Sequence, residues 1–474
     1  MRLCILGGGP GGYTAAIRGA QLGFEVTLIE QDKNLGGTCL NRGCIPTKAL
    51  VESALRFQAV KEAASFGINL ASAPCIDMAK VQERKNAIVR RLAMGIDSLL
   101  KRNNVKVVHG RGRLLNATSI EVNGENIEFD RLVLAVGSSA AVPKIFPIDG
   151  ERILTSDHIL NLAEVPQSLI VVGSGAVGME FASIFTSLGT QVSIVELADR
   201  LLPLEDAEVS AEMQRLCRKA GWKIYTGAHI EKVERTDVGV RVWGQGLPDN
   251  GAGQTYLESA YLLAAVGRRP NLANLGLDEV GIKLTERGFV KVDRYMRTEV
   301  DNIYAIGDII PAPQLAHMAA AEAIVAAEHA AGLEPEPLHY EQCPSATYCS
   351  PEVASVGLTQ EKAEELGHKL AVGKFPLAAL GKANISGHTD GFVKIIADAD
   401  SKVVLGLHII GEHACDLIAE GALALHKVAS LEDVASTIHP HPSLSESVAE
   451  AAHHALGMPI NFVPAPARRS RRVS

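Results

Sequence analysis

Three shortages narrow the reading of this 474-residue chain before any motif is considered. No uninterrupted apolar run approaches the roughly 18 residues of a membrane span, so no such span is expected. Positive charge is in deficit, with a net charge of −8, which argues against general nucleic-acid binding. Cysteine is sparse: eight residues (4, 39, 44, 75, 217, 343, 349 and 415) are too few for the disulfide framework of a secreted protein. The first residues, Met1-Arg2-Leu3-Cys4-Ile5-Leu6, run at once into glycines and leave no room for a signal or transit peptide, so a cytoplasmic location is expected.

What is abundant describes a large, well-buried protein. The chain is 47% hydrophobic and 21% charged, with 44 glycines that imply many tight turns. Its length suggests three or four domains.

Two of the cysteines stand apart. Gly36-Gly37-Thr38-Cys39-Leu40-Asn41-Arg42-Gly43-Cys44-Ile45-Pro46-Thr47-Lys48 sets Cys39 and Cys44 five residues apart. In a regular helix that spacing leaves the Cα atoms roughly 8 to 9 Å apart, beyond the limit of about 7 Å for a disulfide. The pair can close only if the chain leaves regular helix, which Asn41 and Gly43 permit. A loop tightening into a helix start would make Cys44 the more acidic thiol, because unpaired amides and the helix dipole favour its thiolate. A redox pair, a static disulfide and two unrelated buried thiols all fit the spacing. A zinc site lacks further ligands nearby, and no metal is expected. The other six cysteines are expected to be inert.

Two segments read as strand, glycine turn, helix, strand. In the first, residues 2–6 lead into Gly7, Gly9 and Gly12, then a small-residue helix, then Val26 to Glu30. In the second, residues 168–172 lead into Gly173, Gly175 and Gly178, and a later strand ends at Glu196. Every one of these positions lies 166 residues after its counterpart, so the fold class expected is α/β with two dinucleotide-binding units. Each unit is closed by a later apolar strand, 132–136 before Gly137 and 262–266 before Gly267. Glu196 suits the 2′-hydroxyl of NAD and would repel the 2′-phosphate of NADP, although Arg200 lies four residues on.

Asp308 follows the strand 302–306 and either anchors a ribityl or phosphate group or caps the alanine-rich helix expected from Pro313 to about Ala331. Gly332 to Pro337 reads as a linker. Beyond it, strands at 391–396 and 402–410 announce an antiparallel α+β domain. Near its end, Ser443 and Glu446 fit a capping box, yet Glu446 could equally orient His441; His439 is a rival for that role. The last ten residues form a basic tail expected to be disordered.

These motifs together resemble the flavin-dependent pyridine-nucleotide disulfide oxidoreductases, most closely the members that oxidise dihydrolipoamide. The residues carrying the likeness are the Cys39 to Lys48 box and His441-Pro442-Ser443-Leu444-Ser445-Glu446, within a resemblance running from the first strand to about Leu456. It implies a redox disulfide Cys39–Cys44 and a His441–Glu446 base. It implies FAD held by Gly7, Gly9, Gly12, Glu30, Gly37, Thr38, Lys48, Gly110, Asp308 and Ala316, and NAD held by Gly173, Gly175, Gly178, Glu180, Glu196 and Gly267. Lys48 and Glu180 would form an ion pair beside the flavin. The implied domains are 1–143 and 268–337 for FAD, 144–267 for NAD, 338–460 for α+β dimerisation and 461–474 as a flexible tail. A homodimer follows, in which His441 and Glu446 of one chain complete the disulfide site of the other. The implied partners are lipoyl domains of 2-oxoacid dehydrogenase complexes or the glycine cleavage H protein. Glutathione reductase would require NADPH, and mercuric and large thioredoxin reductases a C-terminal cysteine pair, whereas the last cysteine here is Cys415. Two positions depart from the usual pattern: Val136 replaces a threonine, and Tyr348-Cys349-Ser350-Pro351 replaces Tyr-Thr-His-Pro.

Overall fold

The computed structural model describes residues 1–251 and 253–464, so the basic segment 465–474 lies outside the described residues. The chain divides into two compact units, the first made of residues 1–173, 184–195 and 228–340, the second of residues 174–183, 196–227 and those from Glu341 on.

In the first unit, β1 (Arg2–Leu6) runs parallel to β2 (Glu25–Glu30) on one side and to strand Arg131–Leu134 on the other. β3 (Lys106–His109) pairs with β2, and Ile303–Ala305 with Arg131–Leu134, again parallel. Such strands are buried on both faces, which is why they read as continuous apolar runs: Leu3, Ile5, Leu28, Leu132 and Val133 are essentially without solvent contact. Helix α1 (Pro10–Gln21) connects β1 to β2, with Gly9 as its N-cap and Pro10 in its first turn, where the missing amide costs nothing. Between β2 and β3 lie α2 (Gly37–Arg42), α3 (Cys44–Lys61) and α4 (Met78–Arg102).

The same unit repeats the parallel pattern. Strand Ser168–Val172 lies between Gln191–Val195 and Tyr261–Ala264. A two-stranded antiparallel ribbon, Ser138–Ala140 with Arg268–Pro270, joins the segments that leave the two closing strands. Those strands stop at Leu134 and Ala264, two residues short of the expected ends; the Ala135 and Ala265 amides still bond the Leu6 and Val172 carbonyls, and their own carbonyl oxygens lie against Gly7 and Gly173. The alanine-rich helix opens at Ala316 rather than Pro313. Ahead of it, the Leu315 amide bonds the Pro313 carbonyl (2.8 Å) and the Gln314 side chain bonds the Asp308 carbonyl (3.2 Å), which holds residues 313–315 as a turn.

The second unit contains an antiparallel sheet in the order Ser345–Thr347, Glu352–Gly357, Val404–Gly411, Phe392–Asp398, Leu370–Pro376. Phe375, Val393, Ile395, Leu407 and Ile409 form its core with helices Ala414–His426 and Glu446–Ala455. This is the α+β arrangement anticipated, with strand ends shifted by one or two residues. The core extends past residue 460: Phe462 stacks edge-on against Phe375, and Asn461 bonds Glu450, so packing continues beyond the expected start of the tail.

Candidate active site

The first glycine turn is built by close approach. Gly7 has φ +107°, and a Cβ there would lie 2.3 Å from the Ala135 carbonyl oxygen, so only glycine fits. Its counterpart Gly173 repeats the geometry, with φ +95° and 2.4 Å to the Ala265 oxygen. The acids ending the second strands are placed alike. Buried Glu30 accepts from the Gly8 amide through Oε2 (2.7 Å) and from the Asp32 amide through Oε1 (2.7 Å). Glu196 accepts from the Ser174 amide and hydroxyl through Oε2 (2.7 Å each) and from the Ala198 amide through Oε1 (2.8 Å). Each carboxylate therefore sits at a strand's carboxyl end, locked to the amide that follows the first glycine, where a nucleotide ribose binds in such sheets. The Arg200 guanidinium engages Glu361 at 2.9 and 3.1 Å.

The cysteine loop is tied to the first turn by a hydrogen bond from the Gly36 amide to the Gly8 carbonyl, 2.8 Å. Cys39 lies in α2, and Cys44 is the first residue of α3. Between them Gly43 breaks the helix at φ −136°, ψ −116°, and a Cβ there would come within 2.9 Å of the Thr38 oxygen and 3.3 Å of the Cys39 Cα. The backbone thus leaves regular helix where the spacing required it. The two thiols are in contact: a hydrogen bond with the Cys44 side chain, then burial, pushes the Cys39 thiol far above its usual range, while Lys48 and the Cys44 amide act in the opposite direction. Lys48 lies one turn after Cys44 on α3, and the Thr47 hydroxyl closes that turn onto the Gly43 carbonyl at 2.7 Å.

The remaining residues assigned to the first nucleotide site come together in the same unit. Gly9 and Gly12 lie at the start of α1, and Gly37 and Thr38 open α2. The Gly110 amide bonds the Glu30 carbonyl at 2.8 Å. Asp308 lies in a short turn, Gly307–Ile309, and its carboxylate accepts from the Ser138 hydroxyl, with the Arg268 guanidinium 3.7 Å away. It does not cap the following helix, whose N-cap is Leu315 and whose first residue is Ala316. Ser138 and Arg268 went unread in the sequence; their only signal is that each follows the glycine closing a strand. Glycines that admit close backbone approach, a helix start and a fixed buried carboxylate are what a dinucleotide needs, so this chain's residues fit FAD.

In the second unit, Glu446 performs one of the two tasks expected of it: it faces His441. Oε1 meets His441 Nδ1 at 2.9 Å, and Oε2 accepts from the Ser443 amide at 2.9 Å. The expected capping box does not form: the helix begins at Glu446 itself with Ser445 as N-cap, and the Ser443 hydroxyl pairs with Ser445 rather than with a helix amide. Burial pushes the Glu446 carboxyl up, but the Ser443 amide and His441 outweigh it and hold the group below the usual carboxylate range. The His441 side chain is 79% exposed, whereas that of the rival His439 is 7% exposed and committed to Glu420 (2.8 Å) and the Thr437 carbonyl (2.8 Å). Glu180 is buried and accepts from the Tyr348 amide at 3.1 Å.

Burial pushes the Cys4 and Cys217 thiols up to about 12 and raises those of Cys349 and Cys415 further, as inert thiols require. At the unusual Tyr-Cys-Ser-Pro segment, the Cys349 thiol donates to the Pro351 carbonyl (3.0 Å). At the other departure, the Val136 carbonyl accepts from Asn271 at 3.1 Å. Among the described residues no helix is long and apolar enough to cross a membrane.

Residues 1–323 match the model of the pyridine nucleotide-disulphide oxidoreductases, and residues 343–452 match that of their dimerisation domain. The chain is 43% identical over 472 residues to a dihydrolipoyl dehydrogenase of Bacillus subtilis (strain 168), covering 97% of this chain and 98% of the relative. A dihydrolipoyl dehydrogenase of Geobacillus stearothermophilus is 42% identical, with 97% of each chain covered. Among solved structures, LpdA of Mycobacterium tuberculosis superposes with a TM-score of 0.89 at 31% identity, over 96% of this chain and 99% of the other. With residues 1–323 and 343–452 matched by models of the same family, the chain belongs to the pyridine nucleotide-disulphide oxidoreductases.

Proposed function

We propose that this flavoprotein oxidises protein-bound dihydrolipoamide to lipoamide through Cys39 and Cys44 and reduces NAD⁺ to NADH. The observation that carries the reading is the Gly43 break, which sets Cys39 and Cys44 in contact beside the first glycine turn. The names of the relatives agree with it. FAD binds the first nucleotide site, with Lys48 on its flavin side, and NAD binds the second, with Glu180 and Glu196. Bound FAD supplies the two-electron relay between the thiol pair and NAD⁺.

The chain's own residues do the rest. A substrate thiol is only a few per cent ionised near neutrality, so His441 removes its proton. The thiolate attacks the oxidised pair at Cys39; the Cys39–Cys44 bond breaks, a mixed disulfide forms, and Cys44 leaves as thiolate at the start of α3, where helix amides favour the charge. The second substrate thiolate then displaces Cys39, which releases lipoamide. Glu446 keeps His441 in one orientation and stabilises its protonated form. The match of residues 343–452 to a dimerisation domain supports a homodimer in which His441 and Glu446 of one chain serve the cysteine pair of the other. The domains follow as 1–143 with 268–337 for FAD, 144–267 for NAD and 338–460 for dimerisation. Lipoyl domains of 2-oxoacid dehydrogenase complexes or the glycine cleavage H protein are the partners, in the cytoplasm.

Cys44→Ala tests this. The variant is expected to bind FAD and to lose dihydrolipoamide-dependent NADH formation by about 10³-fold or more. Full turnover would overturn the reading.

A further inference from the structure

Glu322 is a carboxylate that the scheme above does not use. It lies in the alanine-rich helix Ala316–Ala330 with 0% exposure. Its oxygens are held by neutral donors: Oε2 accepts from the Gly307 amide at 2.6 Å and Oε1 from the Tyr340 hydroxyl at 3.2 Å. Among the described residues no cation pairs with it, and a buried carboxylate held only by neutral donors is disfavoured, so its presence calls for a task that alanine, common elsewhere in this helix, could not perform. Burial pushes its carboxyl up to about 7, with Asp308 adding to the effect and the two donors opposing it.

The location supplies the task. Gly307 has φ +72° and immediately precedes Asp308, which the proposed FAD site includes. One turn earlier on the same helix, Ala319 lies against two segments that carry residues of that site. A Cβ on Gly11 of α1 would lie 3.2 Å from the Ala319 oxygen, and one on Gly307 would lie 3.3 Å from the Ala319 Cβ. One helix face therefore touches both the start of α1 and the Gly307–Asp308 turn, and Glu322 is its polar attachment to that turn.

We propose that Glu322 is a positioning residue for the flavin: by accepting the Gly307 amide it holds Asp308 in register with the glycine turn of α1, so FAD binding depends on an acceptor at this position. The inference rests on the reading of the first unit as the FAD site.

The test is reconstitution of FAD-stripped full-length protein, read by quenching of flavin fluorescence and by visible circular dichroism. Glu322→Ala, Glu322→Gln and Glu322→Met are compared with the parent, and thermal unfolding of each stripped protein checks its fold. Glutamine still offers an oxygen to the Gly307 amide, so E322Q is expected to bind FAD within about twofold of the parent with the same dichroism, while E322A weakens binding about tenfold or more and alters the spectrum. Parent-like binding and dichroism in E322A, or a loss in E322Q equal to that in E322A, would overturn the proposal. Where E322A does not fold, E322Q and Glu322→Met, which fills the same volume without an acceptor, decide: the proposal requires a parent-like spectrum in the first and about tenfold weaker binding in the second, and fails if either is missing. A parent protein that takes up no FAD would instead defeat the assignment of the first unit.

Discussion

Gly43 sets the meeting of the two thiols, since it ends α2 and lets α3 begin at Cys44 with a backbone that a side chain would force away from Thr38. In the proposed mechanism Glu446 is the second residue on which the chemistry turns. One of its oxygens serves His441 and the other the Ser443 amide, and these partners hold its carboxyl below the usual range, so it stays charged at neutral pH and stabilises a protonated imidazole. Glu446→Gln keeps the shape and removes the charge. Dihydrolipoamide-dependent turnover is expected to fall about 10- to 100-fold at pH 7.5 in steady-state assays; an unchanged rate would contradict the role given to the carboxylate. The sequence left Glu446 divided between capping and orienting His441, because spacing cannot show that two oxygens of one group face different partners.

At the scale of elements, the two βαβ segments were legible because each is punctuated by glycines whose backbones must touch a neighbouring strand, and Gly7 and Gly173 do so in matching ways. α4 went unassigned in the sequence although Asp77 caps it through the Lys80 amide; over its 25 residues it buries only a narrow set, including Met78, Ala93, Ile96 and Leu100. Nor could Lys394 be read, since its partner lies 188 residues away. Lys394 Nζ, on the buried strand Phe392–Asp398, meets both oxygens of Asp206 at 2.9 Å, while Asp206 also N-caps helix Ala207–Lys219. Burial alone would raise the Asp206 carboxyl, but hydrogen bonding and the charge of Lys394 bring it below its ordinary value. A folded-state pKa below the unfolded one means that the contribution is present above about pH 4 and lost as pH falls through the folded pKa. Lys394→Met leaves the carboxylate buried without its cation and is expected to cost about 3–5 kcal/mol at pH 7. That deficit narrows toward pH 4.5 as Asp206 in the variant takes up a proton. Denaturant unfolding at the two pH values checks this, and equal stability of variant and parent at pH 7 would contradict it.

For the whole molecule, the account is a single electron path: a dithiol gives two electrons to Cys39 and Cys44, and NAD⁺ receives them through the flavin. In the proposed scheme the second nucleotide site takes NAD rather than NADP, because Glu196, bound to the Ser174 and Ala198 amides, would repel a 2′-phosphate. The measurement that tests the path most directly is anaerobic NADH formation from dihydrolipoamide by the purified holoenzyme, with NADP⁺ and Cys39→Ser in parallel. The account predicts rapid turnover with NAD⁺, little with NADP⁺ and none in the variant. No turnover by the parent, with its flavin still reducible by NADH, would contradict the disulfide half of the account, and equal rates with NADP⁺ would contradict the nucleotide half.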